Sequence, residues 1–492
     1  MKILLIQPPM TLLKNEIKSV VFPLGLAYIA ASLEKNGYEV EVMDCVVLEQ
    51  RNHIERDGMI HFGLDWPEIS ERIEKSNPDA IGISCLFSSQ SSNAYKVAEL
   101  AKQWNHKVPT IMGGAHPSSI PKEVLTNKNI DYIVLGEGDE TIIHLVKNLH
   151  SFEHLKKIDG IGFKHDDSII INPKTKFIEN IDDLPFPARH LFPMELYFES
   201  EYGHGTDLMR KPLSSMITSR GCPYMCVFCS VHTVWGRNYR PRDPKKVVDE
   251  IELLVKKFGV REIHFEDDNL TLKKDRTIAI CKEIIKRKID LKWTTPNGVA
   301  LWTLDKEVLV WMKRAGCYKL CFGIESGDME TQKFIRKHVP LDRCKEIVKE
   351  ANKLGIWTHG FFIIGFPFEN TRSIHNTIRY AIDSNLDFAS FFLATPYPKT
   401  DLYTIMDERG MIKNLTWDTL RVSAASINTE YFTRGELRGL QREMFKEFVA
   451  MKFLRIFNPV KLGIQIRKLN SKDDIRFIIR YIRRFFQIVN DN

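Results

Sequence analysis

The stretch Ser219-Arg220-Gly221-Cys222-Pro223-Tyr224-Met225-Cys226-Val227-Phe228-Cys229-Ser230 holds three cysteines at C-x3-C-x2-C spacing. Gly221 and Pro223 give the run the composition of a turn, so a short loop can aim all three thiolates at one point. Thiolates are the ligands that iron–sulfur clusters take. A closed zinc site takes four ligands, and no fourth Cys stands at zinc-finger spacing, although His232 keeps that reading open at this stage. Three ligands on a four-iron cluster leave one iron open.

Outward from the loop, short apolar runs alternate with helical periodicity. Ser215 to Thr218 reads as a strand feeding the loop. Helix Pro244 to Lys257 follows, then strand Glu262 to Glu266, helix Asp275 to Arg287, strand Lys292 to Thr295 and helix Asp305 to Arg314. Strand Lys319 to Ile324, helical stretches within Met329 to Lys353, strand Thr358 to Ile364, helix Thr371 to Asp383 and strand Phe388 to Ala394 complete the series. Six such units are too few for a closed eight-fold barrel and predict a partial (β/α)6 barrel over residues 211–410. Barrels of this kind place their chemistry at the carboxyl ends of the strands. Those ends read Glu266-Asp267-Asp268-Asn269, Pro296-Asn297-Gly298, Glu325-Ser326-Gly327, Gly365-Phe366-Pro367 and Thr395-Pro396-Tyr397-Pro398. Asp268 and Ser326 also suit helix N-caps. Cys317, Cys321 and Cys344 fall within predicted elements and read as core thiols.

Toward the N-terminus a second alternation covers residues 1–150. Strands are expected at Lys2 to Ile6, Glu39 to Asp44, Ala80 to Leu86, Thr110 to Met112 and Tyr132 to Leu135, with helices between them. Five strand-plus-helix units describe a doubly wound, Rossmann-like parallel sheet, whose ligands bind beyond the carboxyl ends of the strands. Those ends carry Gln7-Pro8-Pro9, Ser84-Cys85-Leu86-Phe87-Ser88-Ser89, Gly113-Gly114-Ala115-His116-Pro117 and Gly136-Glu137-Gly138-Asp139-Glu140. No G-x-G-x-x-G follows the first strand, which disfavours NAD. A flavodoxin-like domain with another ligand fits the same pattern. Residues 151–210 read as a linker with a small hairpin and a Pro-rich strap, Leu184-Pro185-Phe186-Pro187.

The cysteine loop resembles the signature of the radical S-adenosylmethionine (SAM) enzymes, in which the open iron is chelated by the amino and carboxylate groups of SAM. The first 150 residues are similar to the cobalamin-binding domain found in front of many of them, on the Pro-Pro, Gly-Gly-x-His-Pro and Gly-Glu-Gly turns just quoted. The resemblance implies a 4Fe-4S cluster on Cys222, Cys226 and Cys229. It also implies SAM held by Phe228, Asp267 or Asp268, Asn297, Glu325, Ser326 and Gly365, with Gly360 to Gly365 and Glu369 beside adenine. Cobalamin would lie against Pro8, Pro9, Ser84, Ser88, Gly113, Gly114, His116, Gly136, Glu137 and Gly138. The D-x-H-x-x-G signature of the cobalamin mutases is absent, so the resemblance assigns no histidine to cobalt. Lys399 replaces the usual glycine of a P-Y-P-G-T sequence.

The activity so implied is methyl transfer: one SAM methylates reduced cobalamin, a second is cleaved to a 5′-deoxyadenosyl radical, and the methyl passes to an unactivated carbon or a phosphinate phosphorus. A cyclase, ring-rearranging or oxidising enzyme with the same cofactors is the alternative. An electron donor such as flavodoxin or ferredoxin is implied as well. A second three-cysteine set and a small basic C-terminal barrel are lacking, which argues against transfer of methylthio groups to tRNA, and no nucleic-acid partner is expected.

The totals fit this reading. A chain of 492 residues suits two or three domains. Nine scattered or clustered cysteines are no disulfide framework, so a reducing, cytoplasmic setting is expected. A net charge of +7 argues weakly for an acidic ligand or membrane headgroups. Residues 411–492 turn helical and basic. The last helix, with Arg476, Arg480, Arg483 and Arg484 among apolar residues, is expected to lie as a lid on the barrel mouth or, alternatively, on an anionic membrane surface, which would suit a lipid-linked rather than a small-molecule substrate.

Overall fold

Ile3, Leu4, Leu5 and Ile6 are all buried, as an unbroken apolar run should be in a strand covered on both faces. Ile3 and Leu5 enter one apolar core, Leu4 and Ile6 another, because successive side chains of a strand point to opposite faces. The computed structural model describes the chain except residues 15, 17, 52, 57, 201–202, 205–207, 455–456 and 491–492; for 460–461 and 483–490 it describes the backbone alone. The side chains of Arg483, Arg484, Phe485 and Phe486 lie outside the described residues.

The first sheet contains β1 (Lys2–Gln7), β2 (Glu39–Asp44), β3 (Ala80–Ser84), β4 (Thr110–Gly113) and β5 (Tyr132–Val134), parallel in the order β2-β1-β3-β4-β5. Helices Leu24–Lys35 and Thr141–Lys147 pack on one face, Trp66–Ser76 and Ser91–Trp104 on the other. The sheet is therefore doubly wound, as expected. Beyond β5 it goes on antiparallel through β6 (Ile161–His165) and β7 (Ser168–Asn172). Here the expected linker of residues 151–210 is corrected: Ile161 and Phe163 alternate into the same core as Ile3, which makes the hairpin part of the domain. This unit comprises Met1–Ser200 together with Ser230–Arg240 and Thr416–Asp418.

The second unit comprises Glu201–Cys229, Pro241–Leu415 and Thr419–Asn492. Its sheet is built of β8 (Leu213–Met216), β9 (Glu262–Phe265), β10 (Lys292–Val299), β11 (Cys317–Glu325), β12 (Trp357–Ile364) and β13 (Phe388–Leu393). They are parallel and adjacent in chain order, which is the open six-stranded barrel wall that the sequence predicts. The crossover helices are α1 (Pro244–Phe258), α2 (Lys274–Lys286), α3 (Lys306–Arg314), α4 (Leu341–Lys353) and α5 (Thr371–Asp383). Local chemistry sets their ends. Asp243 accepts from the Lys245 and Lys246 amides to start α1, and Gly259 stops it in a left-handed conformation.

Three helices follow the barrel: α6 (Arg434–Leu454), α7 (Pro459–Ile466) and α8 (Lys472–Asn490). Gln441 donates to the Phe391 carbonyl at 2.6 Å and Lys452 to that of Leu386 at 2.9 Å, so α6 runs along edge strand β13. Phe477 of α8 is buried against Tyr318, Trp357 and Phe388. Trp357 and Phe388 open β12 and β13, and Tyr318 is the second residue of β11. The expected lid is thus corrected to a floor: α8 seals the amino ends of the strands, away from the carboxyl ends, because Phe477 finds an aromatic socket there.

Candidate active site

Asp267, just past β9, organises the approach to the cysteine loop. Its carboxylate accepts from the Thr218 amide (3.1 Å), the Thr218 hydroxyl (2.7 Å) and the Ser219 hydroxyl. Arg276 fixes the same segment by donating to the Thr218 carbonyl at 2.6 Å. Asp267 is therefore consumed in positioning the loop. Asp268 is half-buried, and among the described residues its carboxylate accepts no hydrogen bond. Burial, and then the neighbouring Asp267, push it up to about 7.

Inside the loop, Val227 is the anchor. Its amide donates to the Ile335 carbonyl (3.2 Å), its carbonyl accepts from Leu402 (2.8 Å), and its side chain packs with Phe366 and Met406. Cys222, Cys226 and Cys229 flank that anchor half-buried, whereas the other six cysteines are fully buried. Among the described residues no group of three His, Cys, Asp or Glu side chains is placed to hold a metal ion.

Lys337, which the sequence reading missed, is half-buried within the electrostatic reach of these thiols. Its Nζ lies 2.5 Å from Glu325 Oε1. Burial opposes its charge, but Glu325 and then the Cys226 and Cys229 sulfurs outweigh that, so Lys337 sits above the ordinary lysine range. Burial in turn raises the Cys226 thiol, with Lys337 acting against it. Glu325, Arg336 and His338 all take left-handed φ, of 69°, 55° and 52°. Strained backbone of this kind persists where the surroundings over-determine it, commonly at functional sites. The only hint in the sequence is a basic triplet, Arg336-Lys337-His338, before Val339-Pro340.

The remaining strand ends divide by duty. Asn297 is exposed inside a bulge of β10 and donates to the Glu266 carbonyl at 2.8 Å. Ser326 is fully buried, its hydroxyl engaged with Thr377 Oγ1 and the Asp328 amide, so it is spent on structure. Glu369 accepts from the Gly365 amide (2.7 Å) and the Phe366 amide (3.0 Å), shaping the turn after β12; burial pushes it up to about 7. Phe228 leans on Phe366, with Phe334 and Phe368 continuing the aromatic wall.

In the first unit the strand order reverses between β1 and β3, and ligands of such sheets lie in the crevice at that point. Pro8 and Pro9 are buried there, and Gln7 Oε1 is buried without a hydrogen-bond partner among the described residues. Ser84 is half-buried, and Leu86 and Phe87 stand exposed beyond it. Gly114 has φ of 120°, and a Cβ there would come within 2.4 Å of the Cys85 carbonyl oxygen, so only glycine fits. Gly113 ends β4, and Gly136 donates to Ser118 Oγ at 2.9 Å.

Three expected ligand residues turn out to be engaged within the protein. His116 is fully buried, with Nδ1 at 3.0 Å from Ser88 Oγ and Nε2 at 3.2 Å from the Tyr95 hydroxyl. Burial pushes it down to about 4. Ser88 is thereby engaged too. Glu137 binds Arg240 Nη1 through both oxygens at 2.8 and 2.7 Å. Gly138 fits close under Ile29 and Val134. Trp417 stands edge-on to His116 at 6.3 Å; it lies 301 positions on in the chain, and no local pattern announces it.

Residues 10–146 match the B12 binding domain model and residues 216–381 the Radical SAM superfamily model. The cytidylyl-2-hydroxyethylphosphonate methyltransferase of Streptomyces wedmorensis is 33% identical over 84% of this chain and 82% of its own length. The chain belongs to the cobalamin-binding radical SAM methyltransferases. An anaerobic magnesium-protoporphyrin IX monomethyl ester cyclase of Rubrivivax gelatinosus is 27% identical over 92% of this chain and 78% of its own. In structure, this methyltransferase is similar to the radical SAM methyltransferase TsrM of Kitasatospora setae, solved with tryptophan substrate and a SAM analogue. That match has a TM-score of 0.67 at 18% identity, over 83% of this chain and 76% of the other.

The methyltransferase's side chains fit the groups its family uses. Three half-exposed thiols near a half-buried cation suit a thiolate-ligated cluster, and the Asp268 carboxylate, without a donor among the described residues, suits the SAM ammonium. Gly114 and the orphaned Gln7 Oε1 suit a large, polar-edged ligand at the switch crevice.

Proposed function

We propose that this enzyme methylates an unactivated carbon of a small organic acceptor, with a phosphinate phosphorus as the second kind of acceptor. When bound, the cluster supplies the electron that cleaves SAM to a 5′-deoxyadenosyl radical, and the cobalamin carries the methyl group. The chain's own residues position and shield. Cys222, Cys226 and Cys229 would hold the cluster, with Lys337 offsetting the negative charge of their sulfurs. Asp268 would receive the SAM amino group, Asn297 would donate to its carboxylate, and Glu325 would accept from its ribose hydroxyls. The turn Gly365-Phe366, braced by Glu369, would flank adenine, and Phe228 with Phe366 would keep water from the site. Cobalamin would lie over Pro8, Pro9, Ser84, Gly113 and Gly114, without a histidine on cobalt, because both nitrogens of His116 are already taken.

The observation that carries the reading is the half-buried Lys337, paired with Glu325 and favoured by the nearby Cys226 and Cys229 sulfurs, in a chain whose identity with a methyltransferase runs through both of its domains. An electron donor of the flavodoxin or ferredoxin kind completes the scheme. The test is anaerobic reconstitution with iron, sulfide and hydroxocobalamin, then mass spectrometry after adding SAM, dithionite and candidate acceptors, cytidylyl-2-hydroxyethylphosphonate first. One 5′-deoxyadenosine and one S-adenosylhomocysteine per methylated product are expected. SAM cleavage with a dehydrogenated or cyclised product and no S-adenosylhomocysteine would favour the cyclase-like alternative, for which the likeness to the Rubrivivax cyclase speaks.

A further inference from the structure

The net charge of +7 is not spread over the surface. Residues 451–492 hold ten Lys and Arg against three Asp, a net of +7, so the first 450 residues are neutral as a whole. Apolar exposure is concentrated in the same place. Half of the exposed large apolar side chains among the described residues lie between 451 and 482, among them Phe453, Leu454, Phe457, Ile466, Ile475 and Ile479. Phe457 is 84% exposed. Soluble surfaces seldom gather apolar side chains so densely unless something covers them.

These residues surround a pocket. It has a volume of about 300 Å3 and opens among α6, α7 and α8, with Trp357 and Phe388 at its inner end and Phe453, Leu462, Leu469 and Ile482 lining it where they are themselves exposed. Asp387 lies at the inner end too, but its charge is met by Lys468 and Lys452. On the outside, Arg467, Lys472 and Arg476 form no ion pair among the described residues, while Asp473 is held by Arg210 and Asp474 accepts from Ser471. Unpaired cations between exposed Ile, Leu and Phe match the two layers of an anionic membrane surface, headgroup and acyl chain. A second copy of the chain would bring a like-charged face, and the interior of a protein–protein interface is depleted in charge.

We propose that α6, α7 and α8 form a docking face for an anionic phospholipid bilayer, with Leu454 and Phe457 entering the acyl boundary and the pocket at the barrel floor receiving a lipid acyl chain. No helix is long and apolar enough to cross a membrane among the described residues, so the contact is with one leaflet. Because the face lies at the amino ends of the barrel strands, it does not depend on which acceptor the enzyme methylates.

The test is co-sedimentation of the full-length protein with vesicles of phosphatidylcholine alone or mixed with phosphatidylglycerol. Binding is expected only with phosphatidylglycerol and should weaken as salt is raised. Leu454→Asp/Phe457→Asp should abolish it and Lys472→Gln/Arg476→Gln should lower it about thirtyfold, with unfolding temperatures and SAM cleavage unchanged in both variants. Brominated acyl chains should quench the fluorescence that is lost in Trp357→Phe. The proposal is overturned if the wild type ignores anionic vesicles, or if the Leu454/Phe457 variant binds as well as the wild type. It also fails if Trp357 is untouched by bromine, or if the face instead makes a dimer in sedimentation velocity that the Asp substitutions dissolve.

Discussion

At the scale of single residues, the site separates carboxylates that build from carboxylates that are left over. Asp267 and Asp268 adjoin in sequence, yet three donors consume the first and none among the described residues reaches the second. The sequence alone could not choose between them, since the choice depends on where Thr218 and Ser219 lie. Asp268 is protonated below about 7 and ionised above it. If it receives the SAM ammonium, affinity for SAM rises as pH rises through 7 and falls as pH drops below it. Anaerobic SAM titrations from pH 6 to pH 8 should show this, and Asp268→Asn should flatten the profile; an unchanged profile assigns the ammonium elsewhere. Lys337 offers a second test. Reduction adds negative charge to a cluster, and a half-buried cation whose field reaches Cys226 and Cys229 favours that step. Lys337→Gln should therefore lower the cluster's potential by roughly 60 mV, a tenfold change in a one-electron equilibrium. A redox titration followed by EPR reads it, and an unmoved potential would leave Lys337 a partner of Glu325 alone.

At the scale of elements, the alternation of strands and helices was legible because parallel strands buried on both faces are plain apolar runs and the helices between them are amphipathic. Ends were less legible, for physical reasons. The strand expected from Lys319 begins at Cys317, since Lys319 is buried with its ammonium 5.8 Å from the Phe477 ring, a partner 158 positions away. The strand expected to stop at Thr295 runs to Val299 because a bulge absorbs Pro296-Asn297-Gly298, with Gly298 at φ of 85°. The three-stranded antiparallel sheet of Met10–Leu13, His53–Arg56 and Met59–Phe62 was not foreseen, since runs such as Ile54-Glu55-Arg56 show no clean alternation. Helix α8 tests floor against lid. Phe477→Ala should cost about 3–5 kcal/mol of stability, seen as a lower unfolding temperature, with SAM affinity unchanged. Weaker SAM binding at preserved stability would return α8 to the barrel mouth.

At the scale of the whole molecule, each unit has its own sheet and its own buried core, so lesions should segregate by cofactor. In the first unit the segment Ser230–Arg240, which immediately follows the cysteine loop in the chain, is fastened by Arg240 to the buried Glu137. Glu137→Ala leaves Arg240 buried and unpaired and should destabilise that unit by about 3–5 kcal/mol; replacing both partners with Leu and Met should recover much of the loss, as differential scanning calorimetry can show. The loop itself answers differently. Its thiols contribute nothing to either core, being half-buried around Val227, whose anchoring contacts are to Ile335, Leu402 and Phe366. Ala at Cys222, Cys226 or Cys229 should thus abolish the cluster's visible absorption and every trace of SAM cleavage, while the unfolding temperature and the binding of hydroxocobalamin stay as in the wild type. Loss of cobalamin binding in those variants would mean that the crevice of the first sheet needs the loaded loop to form. Persisting SAM cleavage would remove the three thiols from the chemistry altogether.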